Sequence, residues 1–326
     1  MKSATPWQDA SRVRLSPLRW TAGRALAACA LGAATLHFAL AAPPNVDDGR
    51  PALAEATAPT QDDRAVKEFL DAYSLAPGEV LKRIPPPRPG GVRVWAERNR
   101  RGAGDDLEHV SSMTFRWVDP DRLEQHWSRF GGAEGWSIRE LPTFLGCHVS
   151  RTEIEGDAQL LNSQISGDWV YRKGASDEQI VRRLEAIVQR ALKQRVRLEF
   201  RNLERDVIVA AGAYRSMPVR GGQQDRIEIY AKEIIRDGTG GGGSGTLAEF
   251  LRWVGDWIEW PVVNEVTAPP AGNIAWHTNS RKPVDEQTRR EDHDEALVLP
   301  HLREQTGLTF TRARRKIRIL LVERAR

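Results

Sequence analysis

The hydrophobic pattern changes period several times along this chain, and each change marks an element. Over 177–192, Ile180, Leu184, Ile187, Val188 and Ala191 recur at helical spacing. Ser176 stands three residues before Gln179, a capping-box pattern that satisfies exposed N–H groups at a helix start. A second strong helix is predicted over 246–259. Leu247, Leu251, Val254 and Ile258 make one stripe, and Phe250, Trp253, Trp257 and Trp260 make another beside it. Together they cover an arc of about 180°, wider than the ~100° a surface helix needs. Helices are also predicted at 62–74, from about 120 to Phe130, at 137–149 and at 294–306. Alternation predicts strands at Ser112–Val118, Asp168–Arg172, Arg195–Phe200, Asp206–Ala211, Arg226–Ile235, Asn273–His277, 307–312 and 316–323.

The two halves of this pattern match each other. An offset of 109 places Ile138 on Leu247, Leu141 on Phe250, Phe144 on Trp253, Leu145 on Val254 and Val149 on Ile258. Trp169 then falls near Trp276, and Leu198-Glu199-Phe200 matches Leu308-Thr309-Phe310 at an offset of 110. The expectation is an α+β fold of two tandem related units, each strand-helix-strand-helix-strand-strand, with helices on antiparallel or mixed sheets. The units run over 111–217 and 226–326, joined by 218–225, and 62–110 supplies an N-terminal helix and a Pro-rich connector at 84–91.

Before these units lies a targeting segment. Residues 1–41 carry Lys2, Arg12, Arg14, Arg19 and Arg24 against Asp9, which accounts for the whole formal charge of +4. The isoelectric point of 9.2 therefore gives no argument for a nucleic-acid partner. The basic stretch runs into an apolar one from Ala25 to Ala42, with the cleavage pattern Ala39-Leu40-Ala41. This reads as a signal peptide, with an uncleaved membrane anchor as the alternative and Leu26-Ala27-Ala28-Cys29 as a lipidation pattern. Residues 42–61, rich in Pro, Ala, Asp and Thr, read as a flexible tether. The predicted location is the periplasm or cell envelope, with membrane contact only through the N-terminal segment. Of the two cysteines only Cys147 follows that segment, which excludes an internal disulfide in a cleaved chain.

The C-terminal third resembles a known family. Leu302-Arg303-Glu304-Gln305-Thr306-Gly307-Leu308-Thr309-Phe310 and then Lys316-Ile317-Arg318-Ile319-Leu320-Leu321-Val322-Glu323-Arg324 are similar to the end of the exported soil-associated bacterial proteins. That family ends in L-x-E-Q-x-G-L-x-L, a short basic turn and V-x-V-L-V-I-D. Thr246–Val263, closing in Trp260-Pro261-Val262-Val263, and Leu184–Ala210 resemble two further segments, so the similarity spans roughly 165–326. Trp260 replaces the family's Arg, and Asn264-Glu265-Val266-Thr267-Ala268 replaces its D-x-T-G-L. The resemblance implies no defined activity. The family's domain is sometimes fused behind membrane metallopeptidase sensors, which implies an envelope interaction or sensing role; this chain has no HExxH motif of its own.

Motifs for chemistry are sparse. The histidines at 37, 109, 126, 148, 277, 293 and 301 form no i, i+3 or i, i+4 pair, so helical metal spacing is missing. Gly238-Thr239-Gly240-Gly241-Gly242-Gly243 fits GxGxxG, but so glycine-rich a run reads first as a strand–helix connection. Cys147-His148 reads as a buried thiol beside a histidine, because neighbours on a helix point about 100° apart. Arg312, Arg314, Arg315, Lys316 and Arg318 read as a turn and the solvated face of a hairpin. Asp105-Asp106 carries no acid–base spacing. No catalytic residue, cofactor or metal is predicted. The expected function is a non-catalytic module binding an envelope protein or cell-wall ligand through Phe250, Trp253, Trp257 and Trp260. An envelope hydrolase with a site assembled from distant loops, or a purely structural repeat, are the alternatives.

Overall fold

The computed structural model describes residues 60–99, 107–130, 135–217, 226–231, 242–278 and 293–325. The targeting segment, most of the tether, Asp105-Asp106, Gly238–Gly241, 218–225 and 279–292 lie outside the described residues. The fold is α+β with mixed sheets.

The first sheet has the order β1-β7-β2-β3. Its strands are β1 (Leu81–Ile84), β2 (Val110–Asp119), β3 (Arg122–Phe130) and β7 (Asp168–Arg172). Alternation fills both faces. Met113, Phe115 and Val170 pack under α1 (Gln61–Ala72) and α2 (Gly91–Asn99) with Phe69, Tyr73, Val92 and Trp95. Trp169 and Tyr171 point the other way, into a core built with α5 (Asp177–Leu192). The hydroxyl of Tyr73 donates to Asp168 at 2.5 Å, and Arg88 pairs with the same carboxylate at 2.9 Å. Asp168 is wholly buried, and it also accepts the Met113 N–H at 2.8 Å. It thereby fastens α1 and the Pro-rich connector to this sheet. A two-stranded pair of β4 (Trp136–Ser137) and β6 (Gln164–Ile165) borders that second core, with the short helix α4 (Ala158–Leu161) adding Leu160 and Leu161 to it.

The longest element is a ladder of β8 (Val196–Ala213) and β13 (Thr309–Arg324), which pairs all 16 residues of β13 without a bulge. Two short strands complete this sheet in the order β11-β8-β13-β5, both of them parallel to their neighbours. β5 (Ile154–Gly156) lies on β13, and β11 (Val262–Ala268) lies on β8. Leu320 pairs with Ile154 and Ala210 with Asn264. Gly156 makes the first contact possible. Its φ is +144°, and a Cβ there would stand 1.9 Å from the Val322 carbonyl oxygen.

A third sheet, β10-β12-β9, is made of β9 (Arg226–Ile229), β10 (Gly242–Gly245) and β12 (Ile274–Thr278). α6 (Leu247–Ile258) and α7 (Glu295–Thr306) pack there around Phe250, Leu251, Val254, Trp276, Val298 and Leu302. The ladder bridges two cores through one face. Val196, Leu198, Leu320 and Val322 enter the α5 core, whereas Ile208 and Ala210, with Leu308 just before β13, enter the α6–α7 core.

Several expected elements take another form. Residues 122–130 are a strand, not a helix: Pro120 and Asp121 turn the chain between β2 and β3. The helix expected at 137–149 shrinks to α3 (Leu141–Phe144), closed by Gly146 at φ +82°. Ile138, Leu141, Leu145 and Val149 are nonetheless all buried, as are their matches Leu247, Phe250, Val254 and Ile258. The pairs of strands read at 195–211 and 307–323 are single strands. Their charged middles run between two cores and stay in the ladder, so the turn expected within 312–318 does not exist. Of the strand read at 226–235, Arg226–Ile229 form β9 while 232–235 lie outside the described residues, and the last two glycines of the run, Gly242 and Gly243, open β10.

Candidate functional site

The aromatic edge is built on α6. Thr246 caps the helix with Glu249, whose carboxylate accepts the Thr246 N–H at 2.7 Å. Glu259 stops it in the left-handed region, and the Trp260 N–H bonds back to the Gly255 carbonyl at 3.1 Å. Gly255 is needed there, since a Cβ would lie 2.7 Å from the Trp260 oxygen. Trp260, past this fold-back, packs against the same core as Trp253 and Trp257.

Phe250 is 0% exposed and belongs to the core rather than to a surface. Trp253, Trp257 and Trp260 are partly buried against that core. Trp253 lies 6.1 Å from the Trp276 ring. Trp257 lies 4.2 Å from the His293 ring, whose Nδ1 is 2.7 Å from the Trp257 carbonyl oxygen. The Arg312 guanidinium sits 4.7 Å above Trp260 and is also ion-paired to Glu295. Beside it opens a cleft of about 290 Å³ lined by Asp206, Trp260, Arg312, Ala313 and Arg314. It combines an indole wall, two guanidinium groups and one carboxylate. Such a surface suits a ligand with an apolar face and polar or anionic substituents.

The described part of the glycine run has a packing reason. A Cβ on Gly242 would meet the Trp276 carbonyl oxygen at 2.3 Å, and one on Gly243 would meet the Trp276 ring at 2.6 Å. The glycines let β10 lie directly on the tryptophan that supports Trp253.

A second polar cluster joins α6 to the other half of the chain. Asp256 accepts from the Ser150 hydroxyl at 2.8 Å and from the Arg151 N–H at 2.9 Å. These donors open the 3-10 turn Arg151–Glu153, which leads into β5. Burial pushes the Asp256 and Glu153 carboxyls above the usual range, and their mutual repulsion adds to the effect on Glu153. Next to them Arg318 pairs with Asp177 at 2.7 Å, and His148 Nδ1 lies 3.2 Å from the same carboxylate. Burial opposes ionisation of Asp177, but Arg318 and the His148 N–H hold its carboxyl below the usual range. Cys147 is buried, and burial followed by the Asp177 charge pushes its thiol up. The ring of His148 is engaged with Asp177.

Sequence reading missed this cluster and the Arg312–Trp260 contact. The only local signal was the capping pattern from Ser150 to Glu153; Asp256 itself reads as a solvent-side residue of its helix. Among the described residues no group of three or more His, Cys, Asp or Glu side chains is placed to hold a metal ion. Among them, too, no helix is long and apolar enough to cross a membrane. No protein-family profile, no curated protein sequence and no solved structure matches the chain.

Proposed function

We propose that this chain is an exported, non-catalytic binding module of the cell envelope. The observation that carries the reading is the edge of α6. Three partly buried indoles lie on α6 and just past its end, and one of them, Trp260, walls a cleft bearing Arg312 and Arg314. Partly buried aromatics flanked by arginine are the residue types that dominate binding energy at interfaces. The basic and apolar N-terminal segment and the resemblance to exported soil-associated proteins support an envelope location. The Ser150–Asp256 pair lends the hydrolase alternative little support, because Ser150 is 3% exposed and its hydroxyl already donates to Asp256.

The two halves are proposed to be copies of one unit with exchanged edge strands. At a single offset of 110, Leu320–Ile154 corresponds to Ala210–Asn264. At the same offset the Arg205–Glu155 ion pair (2.7 Å) corresponds to Arg315–Glu265 (2.8 Å). Arg205 and Arg315 face each other across the ladder, where an axis relating the copies would pass.

Co-sedimentation with purified cell-wall sacculi, together with cross-linking in the producing cells, tests the binding reading. Wild-type protein is expected to sediment with the wall or to cross-link to one envelope partner. Trp257→Ala combined with Trp260→Ala is expected to weaken this at least about tenfold while unfolding remains cooperative. Full retention by the folded double variant would refute the site.

A further inference from the structure

The outer edge of β13 is a long stretch of strand backbone with little described pairing. β5 covers it only at Leu320–Val322, and no described strand pairs with 309–319 on that side. The direction of the free groups follows from the ladder. The Asp157 N–H donates to the Val322 carbonyl, so the even-numbered residues of β13 turn their backbone groups away from β8. Phe310, Arg312, Arg314, Lys316 and Arg318 therefore present a row of N–H and C=O groups outward. Such a row is a template for one more strand.

Its charge selects the partner. Residues 309–319 contain Arg312, Arg314, Arg315, Lys316 and Arg318 and no carboxylate. Arg312, Arg315 and Arg318 are ion-paired to groups outside the strand. Arg314 reaches Asp206 only at 3.9 Å, and Lys316 has no ion pair with a described residue. The Arg312 and Arg314 side chains are 64% and 67% exposed. A second copy of the chain would set arginine against arginine along the same edge, which is unfavourable. Natural edges of this length are generally broken by a bulge or a proline, and this one has neither.

We propose that the free edge of β13 binds an extended acidic segment of a partner protein as an added β-strand. Backbone hydrogen bonds supply the fit, and Arg314 and Lys316 supply the preference for alternating Glu or Asp. This edge shares Arg312 and Arg314 with the cleft beside Trp260, but Lys316 lies outside that cleft, so the Lys316 variants and the methylated control separate a failure here from a failure of the indole site.

The probe is a synthetic ten-residue Glu-Thr repeat, measured by fluorescence anisotropy against the full chain. A control carries the same sequence with alternate peptide nitrogens methylated, which keeps the charge and removes strand pairing. Binding of the first peptide is expected to exceed the second at least about tenfold, roughly one main-chain hydrogen bond. It should also slow hydrogen exchange at Arg312, Arg314 and Lys316. Lys316→Pro removes an outward N–H without breaking the β8–β13 ladder, and it should lower the affinity to the level of the control. Lys316→Thr gives a second variant that keeps the N–H and loses only the charge. Equal binding of both peptides, or no binding, would mean that the cations only guard the edge, and would overturn the proposal. Tighter binding of a single-stranded oligonucleotide than of the peptide would overturn it as well.

Discussion

Gly156→Ala strikes the contact by which the first half of the chain adds its strand to the second. The residue sits at φ +144°, where an L side chain is strained, and its Cβ would fall 1.9 Å from the Val322 carbonyl oxygen. The collision is with backbone, so no rotamer change relieves it. β5 must move off β13, which loses the pairing of Ile154, Glu155 and Gly156 with Leu320–Val322. Backbone strain of this kind costs about 1–3 kcal/mol. Each lost ladder hydrogen bond adds about 1 kcal/mol. The expected total is about 4 kcal/mol, a large part of an ordinary domain's stability. Gly174→Ala is the matched control: φ is +82°, but nothing lies within 4 Å of the added Cβ. Its cost is about 1–2 kcal/mol from conformation alone. Urea unfolding followed by tryptophan fluorescence compares the two. Should Gly156→Ala come within about 1 kcal/mol of Gly174→Ala, the β5–β13 contact would not be holding the halves together, and the reasoning would fail.

Other predictions test the remaining parts. Burial, with the nearby Arg116 charge, lowers the pKa of His126 from 6.5 to about 4. The unfolded chain therefore takes up a proton before the folded one, and stability falls as pH drops from 6.5 towards 4. The loss is about 3 kcal/mol near pH 4, and His126→Gln should flatten that part of a stability-against-pH curve. Asp256→Ala leaves the Ser150 hydroxyl and the Arg151 N–H without their acceptor. It should cost about 2–3 kcal/mol in chemical unfolding, and a cost near zero would deny that the cluster joins α6 to β5. Gly243→Ala drives a methyl group against the Trp276 ring. A loss of about 2 kcal/mol and a changed near-ultraviolet tryptophan signal are expected. Chains spanning 60–217 and 226–326, expressed separately, should fold only when mixed, because each edge strand lies on the other half's long strand; independent folding of either would contradict the exchange.

The parts of this fold that were legible in sequence are those with one environment along their length. α5 and α6 bury a continuous stripe and begin with capping boxes, so period and cap agree. Pro120-Asp121 is ambiguous by nature: the same pair can open a helix or turn a hairpin, and only the pairing of β2 with β3 decides. β8 and β13 looked broken because 201–206 and 314–318 lie between two cores and carry charge. A long strand that leaves one core and enters another has no single hydrophobic period. At the candidate site, the indoles of α6 were visible from spacing, but Phe250 faces the core, and the arginine over Trp260 arrives from β13. The Ser150–Asp256 bond spans 106 residues. No local pattern encodes a contact of that range.

The claim that α6 carries the binding surface is tested most directly by a photo-reactive residue placed at Trp257 or Trp260 in the producing cells. Leu297, an exposed apolar position on α7, serves as the comparison site. Adducts to one envelope component from positions 257 and 260, and none from 297, are the expected result. Adducts from 297 alone, or equal labelling at all three positions, would contradict the assignment.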